Sequence, residues 1–243
     1  MATRMRADRL LVERGLFESR AKAQAAIAAG LVTADTIRVR KPSDEIPIDA
    51  TLDAQPDHPW VSRGGVKLDA ALTHFRIDPA GRICLDIGAS TGGFTDVLLA
   101  RGARHVYAID VGRGQLHPRL RDRADVTSLE ATDIRKLSLA SAPERPTLVV
   151  IDVSFISLKL ILNDGLALAQ PPADLVALIK PQFEAGRTHV KKGIVRDASV
   201  HAAVCDDIAA AVTALGWRVS GVIPSPIEGG DGNREFLIAA HHI

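Results

Sequence analysis

Several features that define common protein classes are missing from this 243-residue sequence. It has two cysteines, Cys84 and Cys205, and neither belongs to a C-x-x-C pair or a cysteine–histidine cluster, so nothing indicates a disulfide scaffold or a structural zinc site. The eight histidines show no H-E-x-x-H spacing, and we assign no metal. Cys84 is expected to pack within a strand, and the cysteine usage fits a reducing cytoplasm.

A long apolar run is also missing. The longest candidate, residues 160–179, is interrupted by polar residues and prolines, and it is not the run of about 18 apolar residues that a membrane-spanning helix needs. The basic start, residues 1–6, is not followed by the apolar segment of a signal peptide. We therefore expect a soluble, cytoplasmic protein without stable membrane insertion.

Charge is distributed unevenly although the net charge is only +1. Residues 1–41 hold nine Lys and Arg against four acids, whereas residues 42–59 hold five acids and no Lys or Arg. The length and the 47% apolar content predict one large core with a small satellite. We place a small domain at 1–59, a linker at 60–65 and a large domain at 66–243.

A glycine turn dominates the large domain. Residues 83–96 begin as an apolar run, break at Gly88 and Gly92, and continue into an amphipathic stretch, which predicts a strand, a tight turn and a helix. Asp86 precedes the first glycine by two positions and the spacing is not G-x-G-x-x-G, so the turn suits a nucleoside ligand without a pyrophosphate, such as S-adenosylmethionine. The alternative is a turn with a purely structural role.

Two further strands end near acids. Residues 105–111 form a strand-like run that contains Asp110, at the position where doubly wound folds place a carboxylate on ribose hydroxyls. Residues 126–129 form a third strand, and Asp133 after it can contact an adenine ring. Each acid is also compatible with an ordinary solvated loop position, and Phe94 with a core position. The candidate cofactor residues are Asp86, Gly88, Ser90, Gly92, Phe94, Asp110 and Asp133.

The basic N-terminal part predicts a compact helical hairpin. Leu10, Leu11, Leu16 and Phe17 can form one apolar face, and a second helix runs from a Ser19 cap to Gly30. Basic side chains surround this hairpin and offer a face for phosphates, although a helix pair with solvated charges is the alternative. The candidate RNA-binding residues are Arg4, Arg6, Arg20 and Lys22, with Arg63 beyond the small domain.

Two segments carry a resemblance to a known family. Residues 9–16, with Ser19-Arg20, Ala23, Ile27 and residues 30–32, resemble the alpha-L RNA-binding motif. Residues 62–68, Ser-Arg-Gly-Gly-Val-Lys-Leu, resemble the segment that joins the two domains of TlyA-type proteins. That family is labelled both hemolysin and ribosomal RNA 2′-O-ribose methyltransferase, and its catalytic domain is FtsJ-like. The resemblance covers nearly the whole chain.

The resemblance implies a fold class and a partner. The fold is α/β, a Rossmann-like doubly wound methyltransferase sheet that is mostly parallel with an antiparallel last strand, preceded by a small alpha-L RNA-binding domain. The implied cofactor is S-adenosylmethionine, and the implied partners are ribosomal RNA or ribosomal subunits. The sequence does not indicate an oligomeric state.

Four charged residues are the catalytic candidates: Lys67, Asp152, Lys180 and Glu235. Asp152 and Lys180 end two β-branched or apolar runs, and the carboxyl ends of parallel strands form the ligand crevice of such a sheet. Glu235 begins the last strand, so an antiparallel strand brings it to the same edge. FtsJ-like enzymes use a Lys-Asp-Lys-Glu set. The alternative is two unrelated salt bridges.

Methylation of a sugar hydroxyl requires a base that removes its proton. Lysine can accept that proton only in its neutral form, and a free lysine has a pKa of about 10.4. A nearby cation favours the neutral form, so Lys67 can assist Lys180, while Asp152 and Glu235 orient the two ammonium groups. The sequence does not decide which lysine carries the proton.

Three function classes follow from these observations. The first is an S-adenosylmethionine-dependent RNA 2′-O-methyltransferase, which the retained catalytic set and glycine turn favour. The second is a noncatalytic RNA-binding factor for ribosome assembly. The third is a membrane-lysing hemolysin, for which we find neither a spanning helix nor a strong basic amphipathic helix.

Overall fold

The computed structural model describes residues 3–137 and 144–243. The chain divides into two compact units, Met1–Pro59 and Trp60–Ile243. The segment expected to be a linker, 60–65, lies within the second unit.

The first unit contains two short helices and small antiparallel sheets. Its elements are β1 (Arg4–Arg6), α1 (Ala7–Glu13), α2 (Arg20–Ala29), β2 (Val32–Ala34), β3 (Ile37–Arg38), β4 (Glu45–Pro47) and β5 (Leu52–Ala54). Strand β1 pairs with β4, and β2 lies between β3 and β5. The acidic stretch after residue 42 therefore contributes two strands to this unit.

The helix ends in the first unit follow the sequence pattern. Ser19 Oγ accepts a hydrogen bond from the Lys22 backbone N–H, and Gly30 ends α2 in the left-handed conformation. Leu10, Leu11 and Phe17 are buried in the core as expected. Leu16 is 42% exposed, so the predicted apolar face was wrong at that position.

The second unit alternates strands and helices. Its elements are α3 (Gly64–Phe75), β6 (Ile83–Ile87), α4 (Gly93–Ala100), β7 (His105–Ile109), α5 (Pro118–Arg121), β8 (Val126–Leu129), β9 (Leu148–Ile151), α6 (Leu162–Ala167), β10 (Ala173–Ile179), α7 (Pro181–Glu184), α8 (Ala198–Ala214), β11 (Arg218–Pro224) and β12 (Phe236–His242). Single 3₁₀ turns lie at Ile134–Lys136, Leu158–Leu160, Arg187–His189 and Gly230–Gly232.

Seven of these strands form one sheet in the order β11-β12-β10-β9-β6-β7-β8. The pairs from β10 to β8 are parallel, and β12 runs antiparallel to both β10 and β11. This arrangement confirms the predicted mostly parallel sheet with an antiparallel last strand.

Apolar clusters cover both faces of the sheet. Strand β6 shows the alternation directly, because Ile83, Leu85 and Ile87 pack in one cluster and Cys84 in the other. Cys84 is fully buried, which confirms its expected core position, and burial raises the pKa of its thiol to about 12. The two-sided core leaves the strand ends as the accessible edges of the sheet.

The start of α3 is held by close backbone packing. A Cβ placed on Gly65 would lie 2.4 Å from Trp60 Cγ, and one placed on Gly93 would lie 2.2 Å from Ser62 Oγ and 2.9 Å from the Gly65 nitrogen. The first turns of α3 and α4 therefore touch. Residues 60–65 form part of this packing, with the Gly65 N–H donating to the Ser62 carbonyl at 3.0 Å. In the described ranges, no helix combines the length and apolar character needed to cross a membrane.

Candidate active site

The four catalytic candidates reach one edge of the sheet by different routes. Lys67 lies on α3, whereas Asp152 and Lys180 directly follow β9 and β10. Ile179 pairs with Phe236 in the antiparallel ladder, which places Glu235 beside the end of β10. The Asp152 N–H donates to the Ile87 carbonyl at 2.9 Å, so β9 ends next to the glycine turn. Distant parts of the chain are thus brought together by sheet topology.

The four side chains form two ion pairs. The Lys67 ammonium donates to the Glu235 carboxylate, and these side chains are only 9% and 3% exposed. Lys180 Nζ lies 2.6 Å from Asp152 Oδ1 and donates a hydrogen bond of 2.8 Å to Ser154 Oγ. The contact with Asp152 is close but not aligned as a hydrogen bond, so Ser154 gives Lys180 its directed partner.

A small cavity of about 270 Å³ lies between these pairs and the glycine turn. Lys67, Asp152 and Lys180 line it, whereas Glu235 does not line it and contacts Lys67 from outside. A Cβ on Gly64 would lie 3.5 Å from Asp152 Oδ2, so the first turn of α3 closes one side. The cavity therefore presents two ammonium groups to whatever occupies it.

The glycines of the turn have distinct roles. Gly88 has a φ of +85°, and a Cβ there would lie 2.5 Å from the Asp152 carbonyl oxygen, so only glycine lets the turn approach β9. Gly92 has a φ of +97° and faces Leu116 and Leu120. Gly88 lines the small cavity, whereas Gly92 serves the packing of α4 against α5.

Beside the small cavity lies a larger one of about 650 Å³. This volume is within the range of roughly 300–1,000 Å³ that is typical of ligand sites. Its walls combine apolar side chains with a few polar groups, as such sites do. The lining includes Ile109, Ile134, Val153, Ile156, Asp110, Gln115, Asp133 and Arg135. Gly88, Ser90, Asp152 and Ser154 line both cavities, so the two are adjacent.

Two predicted cofactor acids and Ser90 lie at the larger cavity. Asp110 accepts from the N–H groups of Ser90 at 2.8 Å and Gly112 at 2.7 Å, which holds Ser90 at a φ of +46°. Asp133 pairs with Arg135 at 2.6 Å, and this hydrogen-bonded partner lowers the pKa of Asp133 to about 2. Asp133 is therefore an anionic acceptor at neutral pH.

Asp86 and Phe94 are both buried, and of these two only Phe94 lines a cavity. Asp86 is fully buried, accepts a hydrogen bond of 2.6 Å from Thr95 Oγ1, and has no partner for its Oδ1 among the described residues. Burial raises the pKa of Asp86 to about 7, and the nearby Asp152 charge adds to the effect. Phe94 is 2% exposed, packs in the core and lines the small cavity. The hydrogen bond with Thr95 joins β6 to α4, the two elements on either side of the glycine turn.

The candidate RNA-binding residues of the first unit are held by acceptors. Arg4 donates to the Glu45 carbonyl at 2.5 Å, and Lys22 pairs with Glu18 at 2.6 Å. Arg6 and Arg20 both contact Asp8, at 3.0 and 2.7 Å, with their own side chains about half exposed. Their guanidinium groups therefore have a fixed position and an accessible surface.

Arg63 lies in the second unit, at the small cavity. Its guanidinium donates to the Glu228 carbonyl at 2.6 Å. This position places one candidate RNA-binding cation beside the two catalytic candidate lysines.

Sequence reasoning missed several residues of these cavities. Ser154 follows Asp152 by two positions, so the rule that directed attention to strand ends could have found it. Gln115 and Gly112 lie on a loop with no recognisable motif, and no signal in the sequence marks them. Asn233, two residues before Glu235, binds the 193–195 loop through the Gly193 carbonyl and the Val195 N–H. In the part of the chain that the structure describes, no group of three or more His, Cys, Asp or Glu is arranged to hold a metal.

Comparison with known families agrees with this geometry. The model of the FtsJ-like methyltransferases matches residues 60–242, and the S4 domain model matches residues 5–51. The chain belongs to the FtsJ-like methyltransferase family. The S4 match lies in the unit for which the sequence predicts an RNA-binding motif, so both parts of the predicted family resemblance are confirmed.

Relatives extend over nearly the whole chain. The 16S/23S rRNA (cytidine-2′-O)-methyltransferase TlyA of Mycobacterium tuberculosis is 45% identical over 98% of this chain and 90% of its own length. Hemolysin A of Brachyspira hyodysenteriae is 40% identical over 98% of this chain and its full length. A solved protein of Streptococcus thermophilus, named only as a candidate hemolysin, has a TM-score of 0.78 and 41% identity over 100% of this chain and 90% of that one. The family thus carries both enzyme and hemolysin names.

Proposed function

We propose that this chain is an S-adenosylmethionine-dependent methyltransferase that modifies 2′-hydroxyls of ribose in ribosomal RNA. The observation that carries the proposal is the pair of ammonium groups, each held by a carboxylate, in a cavity that adjoins a second cavity of ligand size. One cavity suits the hydroxyl that loses a proton and the other suits the methyl donor.

The larger cavity fits the proposed donor. Asp110 directly follows β7, a position where a carboxylate can accept hydrogen bonds from ribose hydroxyls. The apolar side chains of Ile134, Ile156 and Val153 supply walls for a purine ring. Gly88 lets the backbone approach a ligand where the two cavities meet, because it has no Cβ.

The donor supplies an electrophilic methyl group when bound, so the chain needs to align the hydroxyl and remove its proton. We assign proton removal to Lys180 Nζ. Asp152 and Ser154 fix its position, and the Ser154 hydroxyl can hydrogen-bond to the ammonium as an acceptor or to the neutral amine as a donor. Lys67, held by Glu235, faces the same cavity and can hold the hydroxyl oxygen by donating a hydrogen bond to it.

The relatives support the choice of RNA. The M. tuberculosis relative is named for cytidine-2′-O-methylation of 16S and 23S rRNA, and its similarity includes both units of this chain. An S4 match at residues 5–51 and the fixed guanidinium groups of Arg6 and Arg20 give the first unit a surface suited to phosphates.

The test is methyl transfer from labelled S-adenosylmethionine to ribosomal subunits, with ribose methylation mapped at nucleotide resolution. We expect transfer by the natural chain and a loss of about 100-fold or more in Lys180→Ala, since general bases contribute typically 10²–10⁴-fold. Donor binding should persist in that variant. Lys159→Ala is the matched control, because Lys159 also pairs with an aspartate, Asp207, but on the surface.

Two outcomes would replace the proposal. Subunit binding without methyl transfer would identify a noncatalytic assembly factor. Lysis of red cells by folded, monodisperse protein, together with absent transfer, would identify a hemolysin.

A further inference from the structure

Two loops form much of the rim of the larger cavity. The first, residues 110–117, follows β7 and contributes Val111, Gly112 and Gln115. The second, residues 130–133, follows β8 and contributes Thr132 and Asp133. The shape of the cavity therefore depends on how these two loops are fixed to each other.

A carboxylate outside the cavity joins them. Glu130 accepts hydrogen bonds from three successive backbone N–H groups of the first loop, those of Gly114 at 2.6 Å, Gln115 at 2.7 Å and Leu116 at 2.9 Å. Successive N–H groups that converge in this way form an anion-binding concavity. The same hydrogen bonds, that from Leu116 first, lower the pKa of Glu130, so the acid is ionised at neutral pH.

Backbone hydrogen bonds continue the connection between the loops. The Ala131 N–H donates to the Gly112 carbonyl at 2.7 Å, and the Thr132 N–H donates to the Asp110 carbonyl at 2.9 Å. Ala131 adopts a φ of +53°, which a residue with a Cβ adopts only where its surroundings hold it. Residues 130–132 are thus hydrogen-bonded to the first loop at three successive positions.

The first loop is also anchored on its far side. Leu116 is 4% exposed and faces Gly92 of the glycine turn. Gln115, the next residue back, folds over Gly112, where a Cβ would lie 2.1 Å from its Nε2. Release of the N–H groups at 114–116 would therefore loosen the segment that holds the Gln115 side chain over Gly112.

We propose that Glu130 is a positioning residue for the methyl donor, which it affects by fixing the wall formed by Gly112 and Gln115 against the wall that carries Asp133. The inference rests on the proposed function, because it assigns the larger cavity to S-adenosylmethionine. Glu130 does not line the cavity, so its effect on the donor is indirect.

The experiment compares Glu130→Gln with the natural chain and with Glu144→Gln, the same substitution at a surface carboxylate that pairs with Arg104. Glutamine still accepts hydrogen bonds but carries no charge, so the three bonds from the loop N–H groups become weaker. We expect the Kd for S-adenosylhomocysteine to rise about 10-fold. Turnover at saturating donor should stay within about 2-fold, so the effect falls on KM and not on kcat.

Hydrogen exchange provides a readout that does not involve activity. In Glu130→Gln, the amides of residues 114–116 should exchange faster, and added S-adenosylhomocysteine should restore part of their protection. The Glu144→Gln chain should match the natural chain in both measurements. Should Glu130→Gln fail to fold, Glu130→Asp retains the charge but shortens its reach, and the same measurements on that variant decide the question.

The outcomes separate this inference from the proposed function. A natural chain that does not bind S-adenosylhomocysteine contradicts the function itself. If the folded Glu130 variants bind S-adenosylhomocysteine with the same affinity as the natural chain, the inference about Glu130 is wrong but the proposed function stands. The same conclusion follows if the variants lose thermal stability and nothing else.

Discussion

Two fully buried aspartates, one in each unit, have pKa values that are shifted in opposite directions. Asp8 receives hydrogen bonds from Arg6, Arg20 and Gln24, and these partners, Arg6 first, hold its pKa far below the usual range. Asp86 receives one from Thr95, and burial raises its pKa to about 7. Equal exposure therefore does not give equal ionisation.

Depth and partners explain the difference. Asp8 lies beneath a thin layer of half-exposed arginine side chains, so its charge stays close to water and fixes two cations at a surface. Asp86 lies within the central strand β6, in which every residue is buried, and apolar clusters cover both faces of the sheet around it. Asp8 positions the guanidinium groups of a candidate binding face, whereas Asp86 joins β6 to α4 on either side of the glycine turn.

Glu235 offers the strongest test of this comparison, because it is a buried acid with a buried cation. Glu235→Gln leaves the Lys67 ammonium without a counter-charge, and removal of one member of a buried pair typically costs about 3–5 kcal/mol. We expect a loss toward the lower end, since glutamine still accepts a hydrogen bond. Urea unfolding monitored in the second unit measures it.

The matched surface pair is Lys159 with Asp207, whose side chains are 42% and 59% exposed. Asp207→Asn should change the free energy of unfolding by no more than about 1 kcal/mol. Equal losses in the two variants would contradict the importance of burial.

Asp8→Asn should have the next largest effect. The amide keeps the shape of the side chain but replaces a charged acceptor with one oxygen and a donor that faces guanidinium groups. We expect a loss of about 1–3 kcal/mol, seen as faster hydrogen exchange of the α1 and α2 amides. Because the pKa of Asp8 is lowered, the natural contribution is present above the unfolded value and is lost as pH falls toward the folded pKa. Unchanged acid sensitivity in Asp8→Asn would argue against this account.

Asp86→Asn tests the opposite sign. The folded pKa of about 7 lies above the usual aspartate value of 3.8, so between these values the folded chain binds more protons than the unfolded chain. The contribution of Asp86 to stability is then complete below the unfolded pKa and declines as pH rises through 7, by at most about 1.4 kcal/mol per pH unit. We expect Asp86→Asn to remove this decline from the pH dependence of urea unfolding. A decline that persists unchanged in the variant assigns it to another group.

Arg20→Lys should have the smallest effect. Lysine keeps the positive charge but cannot reproduce the two contacts that the Arg20 guanidinium makes with Asp8, at 2.7 and 3.3 Å. We expect the Kd for ribosomal RNA to rise about 2–5-fold, while the slope of log Kd against log salt stays constant because no charge is lost. Arg104→Lys, on the surface of the second unit, is the control. An unchanged Kd would show that Arg20 acts as a simple positive charge toward phosphate, which lysine replaces.

The sequence was sufficient to predict which candidates meet at one edge of the sheet. Asp152 and Lys180 end apolar runs, and the rule that parallel strands share their carboxyl edge needs only the order of strands and helices. An antiparallel last strand places its first residues at the same edge, so the position of Glu235 could be predicted as well. These positions depend on topology, which the hydrophobic pattern encodes.

Depth and backbone packing could not be predicted in the same way. Nothing in the local pattern separates Asp86, which is buried below the turn, from Asp110, which lines the cavity. The same limit applies to the Gly64-Gly65 pair, which was predicted to lie in the linker but packs tightly against α4. Each depends on distances between segments that are far apart in the chain.

The contact between α3 and α4 also sets a limit for protein engineering. Three of the four catalytic candidates lie at strand ends, whose positions are shared by a whole sheet, but Lys67 depends on the placement of one helix. A single added methyl group at Gly93 would press on Ser62 and on the Gly65 backbone, at the point where that helix begins. The junction between α3 and α4 will therefore tolerate little insertion, labelling or fusion.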